Sequence, residues 1–247
     1  MTILPYELNL SKTEFFYYLE CPRKFRLHRL LNPVPSKSTF MSTTRATTNY
    51  FLRHYEKKSL QGILYHSFFE SFHKQYWNRI TEPEPPAELM NDQIKRLFWH
   101  YQQTKYFTSP DYWIPYRTEV RLMTEHQRGV IDCVELCDDK YGLRIIDYKA
   151  RPSPQDRQEL LFYATLMNAF QEDKEEDWIE YDILEVGCYY YLSGEERVYE
   201  ITQEDLSSFS TFLQRIIDEI SKENFSAKKS PCSDCKLKEL CKLIPYE

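Results

Sequence analysis

Ile145-Ile146-Asp147-Tyr148-Lys149 follows Gly129-Val130-Ile131-Asp132 after a short interval, with Asp147 fifteen positions beyond Asp132. Both acids close apolar runs (Leu143, Ile145 and Ile146; Val130 and Ile131) that read as partly buried strands. Side chains alternate across a strand, so Asp147 and Lys149 share one side and Tyr148 takes the other. An acid-x-lysine pair is common on solvated strand faces and says little alone. Its setting makes it informative, because carboxylates seldom end buried strands unless paired or bound to metal. Two carboxylates and an ammonium converging at a sheet edge suit metal-dependent phosphodiester cleavage. The acids hold Mg²⁺ or Mn²⁺, the metal makes a nucleophile of water, and the lysine meets phosphate charge.

Working outward from this stretch, residues 115–124, 128–137 and 142–149 read as three strands of an antiparallel meander. Residues 154–170 read as a helix with Leu160, Leu161, Ala164, Leu166 and Met167 as its apolar stripe. An acidic linker at 171–180 precedes strand candidates at 182–192 and 196–201 and a helix at about 203–222. Upstream, Ser11-Lys12-Thr13-Glu14 is a capping box, so a helix starts at Ser11 and stops near Cys21, where Pro22 opens a second one through Arg29. Residues 32–47 read as a loop. A helix over 57–79 carries Leu60, Ile63, Leu64, Phe68 and Phe72 at helical spacing, and Glu82-Pro83-Glu84-Pro85-Pro86 separates it from a helix over 87–106. The expected class is therefore α/β, a core sheet flanked by helices with a helical N-terminal segment.

Composition bounds the rest. The 247 residues suffice for one full core, and 42% hydrophobic with 16% aromatic residues describes a packed globule. No apolar run approaches the roughly 20 residues of a membrane span, and the first residues lack a signal-peptide layout, so a cytoplasmic protein is expected. The net charge of −6 argues against a nucleic-acid partner only until its distribution is read. Residues 1–60 carry +6 and residues 221–247 carry +2, which leaves −14 for residues 61–220. If the two ends meet, they make a basic surface on an acidic body.

Seven cysteines in such a compartment do not read as disulfides. Cys133, Cys137 and Cys188 lie in apolar strand runs as small hydrophobes. Cys232-x-x-Cys235-x5-Cys241 differs, placing three thiols in a short lysine-bearing tail. Cys21, among the basic residues of the other end, is the best fourth ligand. Four thiolates hold Zn²⁺ or an iron–sulfur cluster, and spacing does not choose between them.

In order along the chain, Cys21-Pro22-Arg23-Lys24-Phe25, Gly62-x3-His66, Gly129-x-x-Asp132, Asp147-Tyr148-Lys149, Tyr163 and the cysteine triad resemble the RecB-like branch of the PD-(D/E)XK nucleases with an iron–sulfur cluster. The layout is most similar to the CRISPR-associated Cas-four exonucleases, and AddB-type helicase–nucleases share it. The resemblance implies a restriction-endonuclease-like core in one nuclease domain over 1–247, with 61–220 as core and 1–60 and 221–247 as a cluster-binding subdomain. It implies His66, Asp132 and Asp147 as Mg or Mn ligands, and Lys149 as the residue that stabilises phosphate charge or orients water. Cys21, Cys232, Cys235 and Cys241 would hold a 4Fe-4S cluster, with Zn as the less favoured occupant. Glu119 would be an auxiliary acid beside the site, and His73, two turns after His66, is a decoy.

The family places a glutamine four residues before the helical tyrosine. Here Glu159 stands in that register before Tyr163, and Gln158 is one residue early, about 100° away around the helix. The implied activity is exonucleolytic, on single-stranded DNA or DNA ends, in CRISPR spacer acquisition with integrase proteins as partners. The alternatives are a repair nuclease of the AddB/RecB kind and a DNA-end-binding scaffold subunit with little cleavage of its own; a zinc-stapled structural protein is a third. Lys12, Arg23, Lys24, Arg26, Arg29, Lys228 and Lys229 are the expected phosphate contacts, with Tyr17, Tyr18 or Phe25 as stacking faces.

Overall fold

The computed structural model of the protein describes residues 9–31, 57–137, 142–172 and 181–222, together with Phe225, Cys235, Leu237 and Cys241. The loop expected over 32–47, most of the acidic linker, Lys228, Lys229 and Cys232 lie outside the described residues. Six strands form one mixed sheet: β1 (Leu10–Ser11), β2 (Arg117–Met123), β3 (Gln127–Leu136), β4 (Gly142–Lys149), β5 (Asp182–Tyr190) and β6 (Glu195–Glu200). The helices are α1 (Lys12–Glu20), α2 (Pro22–Leu31), α3 (Lys57–Tyr76), α4 (Gln93–Thr108), α5 (Asp156–Glu172) and α6 (Gln203–Ser221).

β2, β3 and β4 form the antiparallel meander, and β5 lies parallel to β4. Parallel neighbours need a crossover, and α5 is that crossover. β6 returns antiparallel to β5 around Gly194, whose φ of +77° is left-handed backbone that a glycine adopts without steric cost. Helices cover both faces. On one, Phe15 of α1, Leu160, Phe162 and Leu166 of α5, and Leu213 and Ile217 of α6 pack on Ile131, Ile145, Val186 and Tyr190. On the other, Phe69 and Phe72 of α3 and Phe98 and Trp99 of α4 pack on Cys133, Ile146, Tyr148 and Tyr189. Tyr101 stacks on Tyr189 at 4.2 Å between ring centres, and Phe69 meets Phe98 at 4.3 Å.

Two sequence expectations need correction. The helix expected over 87–106 is a short 3₁₀ turn at Ala87–Leu89 followed by α4, because Asp92 caps a new start by accepting the N–H groups of Ile94 and Lys95. The inward face of α3 is Phe69, Phe72 and Tyr76, whereas Leu64 is 70% exposed. Cys133, Cys137 and Cys188 are buried as expected. No helix among the described residues is long and apolar enough to cross a membrane.

The N-terminal segment is fastened by buried charge. The capping box forms: the Ser11 N–H and hydroxyl both donate to Glu14 at 2.8 Å, and the Ser11 hydroxyl accepts the Glu14 N–H. Glu14, 1% exposed, also takes Arg128 of β3 at 2.7 Å and Arg29 of α2 at 2.7 Å. Arg29 and Arg128 donate to the Asn9 carbonyl as well. One carboxylate thereby ties β1, α1, α2 and β3 together. Removing one member of such a cluster strands buried charge, so Glu14→Ala is expected to destabilise the protein by about 3–5 kcal/mol in urea unfolding. A loss below about 1 kcal/mol would show that the cluster is not what fastens the segment.

His73 lies on α3 with Nε2 3.0 Å from the Gln102 amide oxygen and its ring 4.9 Å from Trp113. Burial lowers its pKa to about 4, although the Gln102 hydrogen bond works the other way. The unfolded chain takes up this proton near pH 6.5 and the folded protein does not. Stability is therefore full above pH 6.5 and falls by about 3 kcal/mol as pH drops to about 4. His73→Gln should remove that component from the pH profile of unfolding. An unchanged profile would refute the assignment.

Candidate active site

One edge of β3 is shared by two strands. β1 covers Gln127 and Arg128, and β4 covers Cys133 to Leu136. Residues 129–132 lie between them, paired on that edge with neither, and the candidate site opens there. Gly129 lets α5 come close, since a Cβ at this position would stand 3.0 Å from Leu166 and 3.1 Å from the Tyr163 ring. At Gly62, by contrast, an added Cβ meets only ordinary contact at 3.8 Å.

The sheet is irregular at this point. Ile131 and Cys133, which a regular strand would place on one face, end in opposite cores. Across from Asp132, Glu119 of β2 has a φ of +51°, left-handed backbone that costs a non-glycine residue about 1–3 kcal/mol. Thr118 pairs with Cys133 and Val120 with Ile131, and Glu119 bulges between them. Carboxylates thereby converge from β2 and β3.

Asp132 is 4% exposed. One of its oxygens accepts the Tyr148 N–H at 2.8 Å, and the other lies 3.1 Å from His66 Nδ1. His66 Nδ1 or Nε2, a Glu119 oxygen and an Asp132 oxygen all fall within 4.8 Å of one another, a spacing that fits one cation. Oxygen and imidazole donors suit Mg²⁺ or Mn²⁺. The β3–β4 ladder ends at Cys133 and Ile146, and Asp132 and Asp147 are the next residues along the two strands, with their side chains in contact. Burial raises the Asp147 pKa, Asp132 adds to the rise, and Lys12 and Lys149 oppose it. Two buried carboxylates in mutual contact are the arrangement that a divalent cation relieves.

Lys149 lies 3.4 Å from Asp147, 3.0 Å from Asp156 and 2.5 Å from Glu159. Burial works against its charge, but Asp147 and then Glu159 outweigh it, so its pKa is raised and it stays an ammonium. Tyr190 fixes Asp156 by donating to it at 2.7 Å. Glu159 titrates below its usual range despite burial, because Lys12 and Lys149 both hold it. Tyr163 is buried under Lys12, whose ammonium is 4.7 Å from the ring centre.

Of the residues expected from sequence, His66, Asp132, Asp147, Lys149 and Tyr163 come together, with Glu119 inside the donor cluster rather than beside it. Glu159, not Gln158, is the residue of that register bonded to Lys149. Lys12, Glu159 and Asp156 were not expected in these roles. The capping box placed Lys12 at the head of α1, but its meeting with Asp147, 135 residues away, carries no local signal.

The two ends of the chain do meet. Arg23 is buried and donates to the Cys241 carbonyl at 3.0 Å, and Phe225 stacks on Phe25. Cys21, which caps α1, and Cys235 and Cys241 are half-buried free thiols. The expected stacking faces fare differently: Tyr18 and Phe25 are both 2% exposed, so neither offers a ring to a base, while Tyr17 is half-buried beneath Lys24. Lys24 also pairs with Glu20 at 2.6 Å.

No curated protein matches the chain. Over residues 9–242 it matches the PD-(D/E)XK nuclease superfamily, whose members are in general metal-dependent nucleases using divalent ions such as Mg²⁺ or Mn²⁺. That span takes in the sheet, the six helices given above among the described residues and the acid–lysine site, and the chain belongs to this superfamily.

Proposed function

We propose that the protein is a metal-dependent deoxyribonuclease of the RecB-like, iron–sulfur kind, trimming single-stranded DNA or DNA ends as Cas-four exonucleases do in spacer acquisition. The observation that carries the nuclease reading is the opposition of buried Asp132 and Asp147, with His66 and Glu119 on one side and Lys149 on the other. His66, Glu119, Asp132 and Asp147 are the residues that would hold Mg²⁺ or Mn²⁺. Such an ion supplies, when bound, an activated water and neutralisation of phosphate charge. The chain's own groups do the rest. Asp156 and Glu159 hold Lys149 in one orientation, burial keeps bulk water from Asp132, and the Tyr148 N–H fixes which Asp132 oxygen faces His66.

The finer assignment rests on the cysteines. Arg23 bonded to the Cys241 backbone supports a cluster held by Cys21, Cys232, Cys235 and Cys241, since it draws the C-terminal cysteines toward the start of α2. The same contact puts the two basic ends side by side and so supports a DNA strand running over them. An integrase partner is the expected context for this reading.

Asp147→Ala and Lys149→Ala should each lower Mn²⁺-dependent cleavage of labelled single-stranded DNA by at least about 10²-fold. Cleavage persisting in both variants would sink the site assignment, and retention of DNA without trimming by the unmodified protein would favour an end-binding subunit. Anaerobically purified protein should be brown, with broad absorbance at roughly 400 nm and four irons per chain, and Cys241→Ala should lose that colour. A colourless, zinc-containing protein would overturn the cluster.

A further inference from the structure

Lys12 is the first residue of α1, where a cation works against the helix dipole, and its side chain is only 23% exposed. A lysine in that place needs compensation, and the site supplies it. Its ammonium is 2.9 Å from Glu159 and 3.4 Å from the Asp147 oxygen that Lys149 also approaches at 3.4 Å. An ammonium has three N–H donors. Lys149, whose side chain is 13% exposed, donates to Glu159 and lies within ion-pair distance of both Asp147 and Asp156, so three carboxylates surround it. Lys12 has the same two carboxylates, Asp147 and Glu159, without the third, and the more open position.

We propose that Lys12 is a second catalytic lysine: it meets a non-bridging oxygen of the scissile phosphodiester, while Lys149 is held in place by Asp156 and Glu159. The inference rests on the nuclease reading above. Lys12 remains an ammonium throughout and neither gives nor takes a proton. Because β1 pairs with β3 and Ser11 caps α1, the N-terminal segment brings Lys12 to a pocket otherwise built from α3, β2, β3, β4 and α5.

The test uses the full-length protein, Lys12→Met, Lys12→Arg, Glu159→Gln and the Lys12→Met/Glu159→Gln double variant, with single-stranded DNA and Mn²⁺. Lys12→Met should lower kcat by about 10²-fold with KM within about threefold, and Lys12→Arg should recover part of the loss. Because Lys12 and Glu159 are in contact, the factor will change in the Glu159→Gln background, but a loss of at least about tenfold should persist there. Calorimetric titration of Mn²⁺ without DNA should show about tenfold tighter binding to Lys12→Met, since a cation competing for Asp147 is gone. Melting temperatures check that the variants fold.

A kcat within threefold of the unmodified protein would overturn the proposal, as would a loss that vanishes in the Glu159→Gln background, where Lys12 would merely neutralise Glu159. Unchanged Mn²⁺ affinity would remove Lys12 from the site. If the unmodified protein cuts no DNA, the nuclease reading fails and the catalytic role of Lys12 falls with it. If it cuts and Lys12→Met cuts equally well, only the present inference fails.

Discussion

Asp132 and Asp147 face each other across adjacent strands, buried and of like charge, and much of the surrounding structure answers that arrangement. A sheet avoids such a pair, because like charges directly opposite destabilise it and burial removes the water that would screen them. The Tyr148 N–H, His66, Lys12 and Lys149 are all drawn to these two side chains. Local geometry bends as well: Glu119 takes left-handed backbone opposite Asp132, and β3 switches the face on which its apolar residues lie. Strain of this kind persists where surrounding packing enforces it, and here the two aromatic cores clamp the sheet from both sides.

The lysines are as constrained as the acids. Glu159 sits between two ammonium groups and, through them, links α1 to β4. A glutamine at this place would be neutral and would leave the site with one more net positive charge. The glutamate at this register is thus electrically coupled to Lys12 of α1.

Much of this was legible in the sequence, and the reasons are local. Alternation gave the three-strand meander and the common face of Asp147 and Lys149, and the Ser11–Glu14 spacing gave the start of α1. The split at Asp92 was missed because a capping aspartate inside a run of helix formers competes with continuation, and propensity alone does not decide the winner. Of the apolar stripe expected on α3, Phe72 is buried and Phe68 packs against the core, whereas Leu64 is exposed, because the core takes up aromatic side chains along this helix. The expectation that Tyr18 and Phe25 would be open to bases failed because a basic, aromatic helix pair serves equally well as packing. Contacts such as Lys12 with Asp147 are set by topology, which no short window contains.

β1 is two residues long, and its Leu10 N–H bonds to the His126 carbonyl at 2.9 Å. So short a ladder has little hold of its own, and the buried Glu14 cluster together with the core packing of Leu10, Phe15 and Tyr18 carries the attachment. Proteins open in cooperative pieces, each with its own free energy, and the least stable piece opens first. Its two-residue ladder makes the segment carrying Lys12 and Cys21 the candidate for such a piece. Amide exchange at Leu10 would then run ahead of that in β3 and β4, and loss of a competent pocket on warming would precede melting of the sheet.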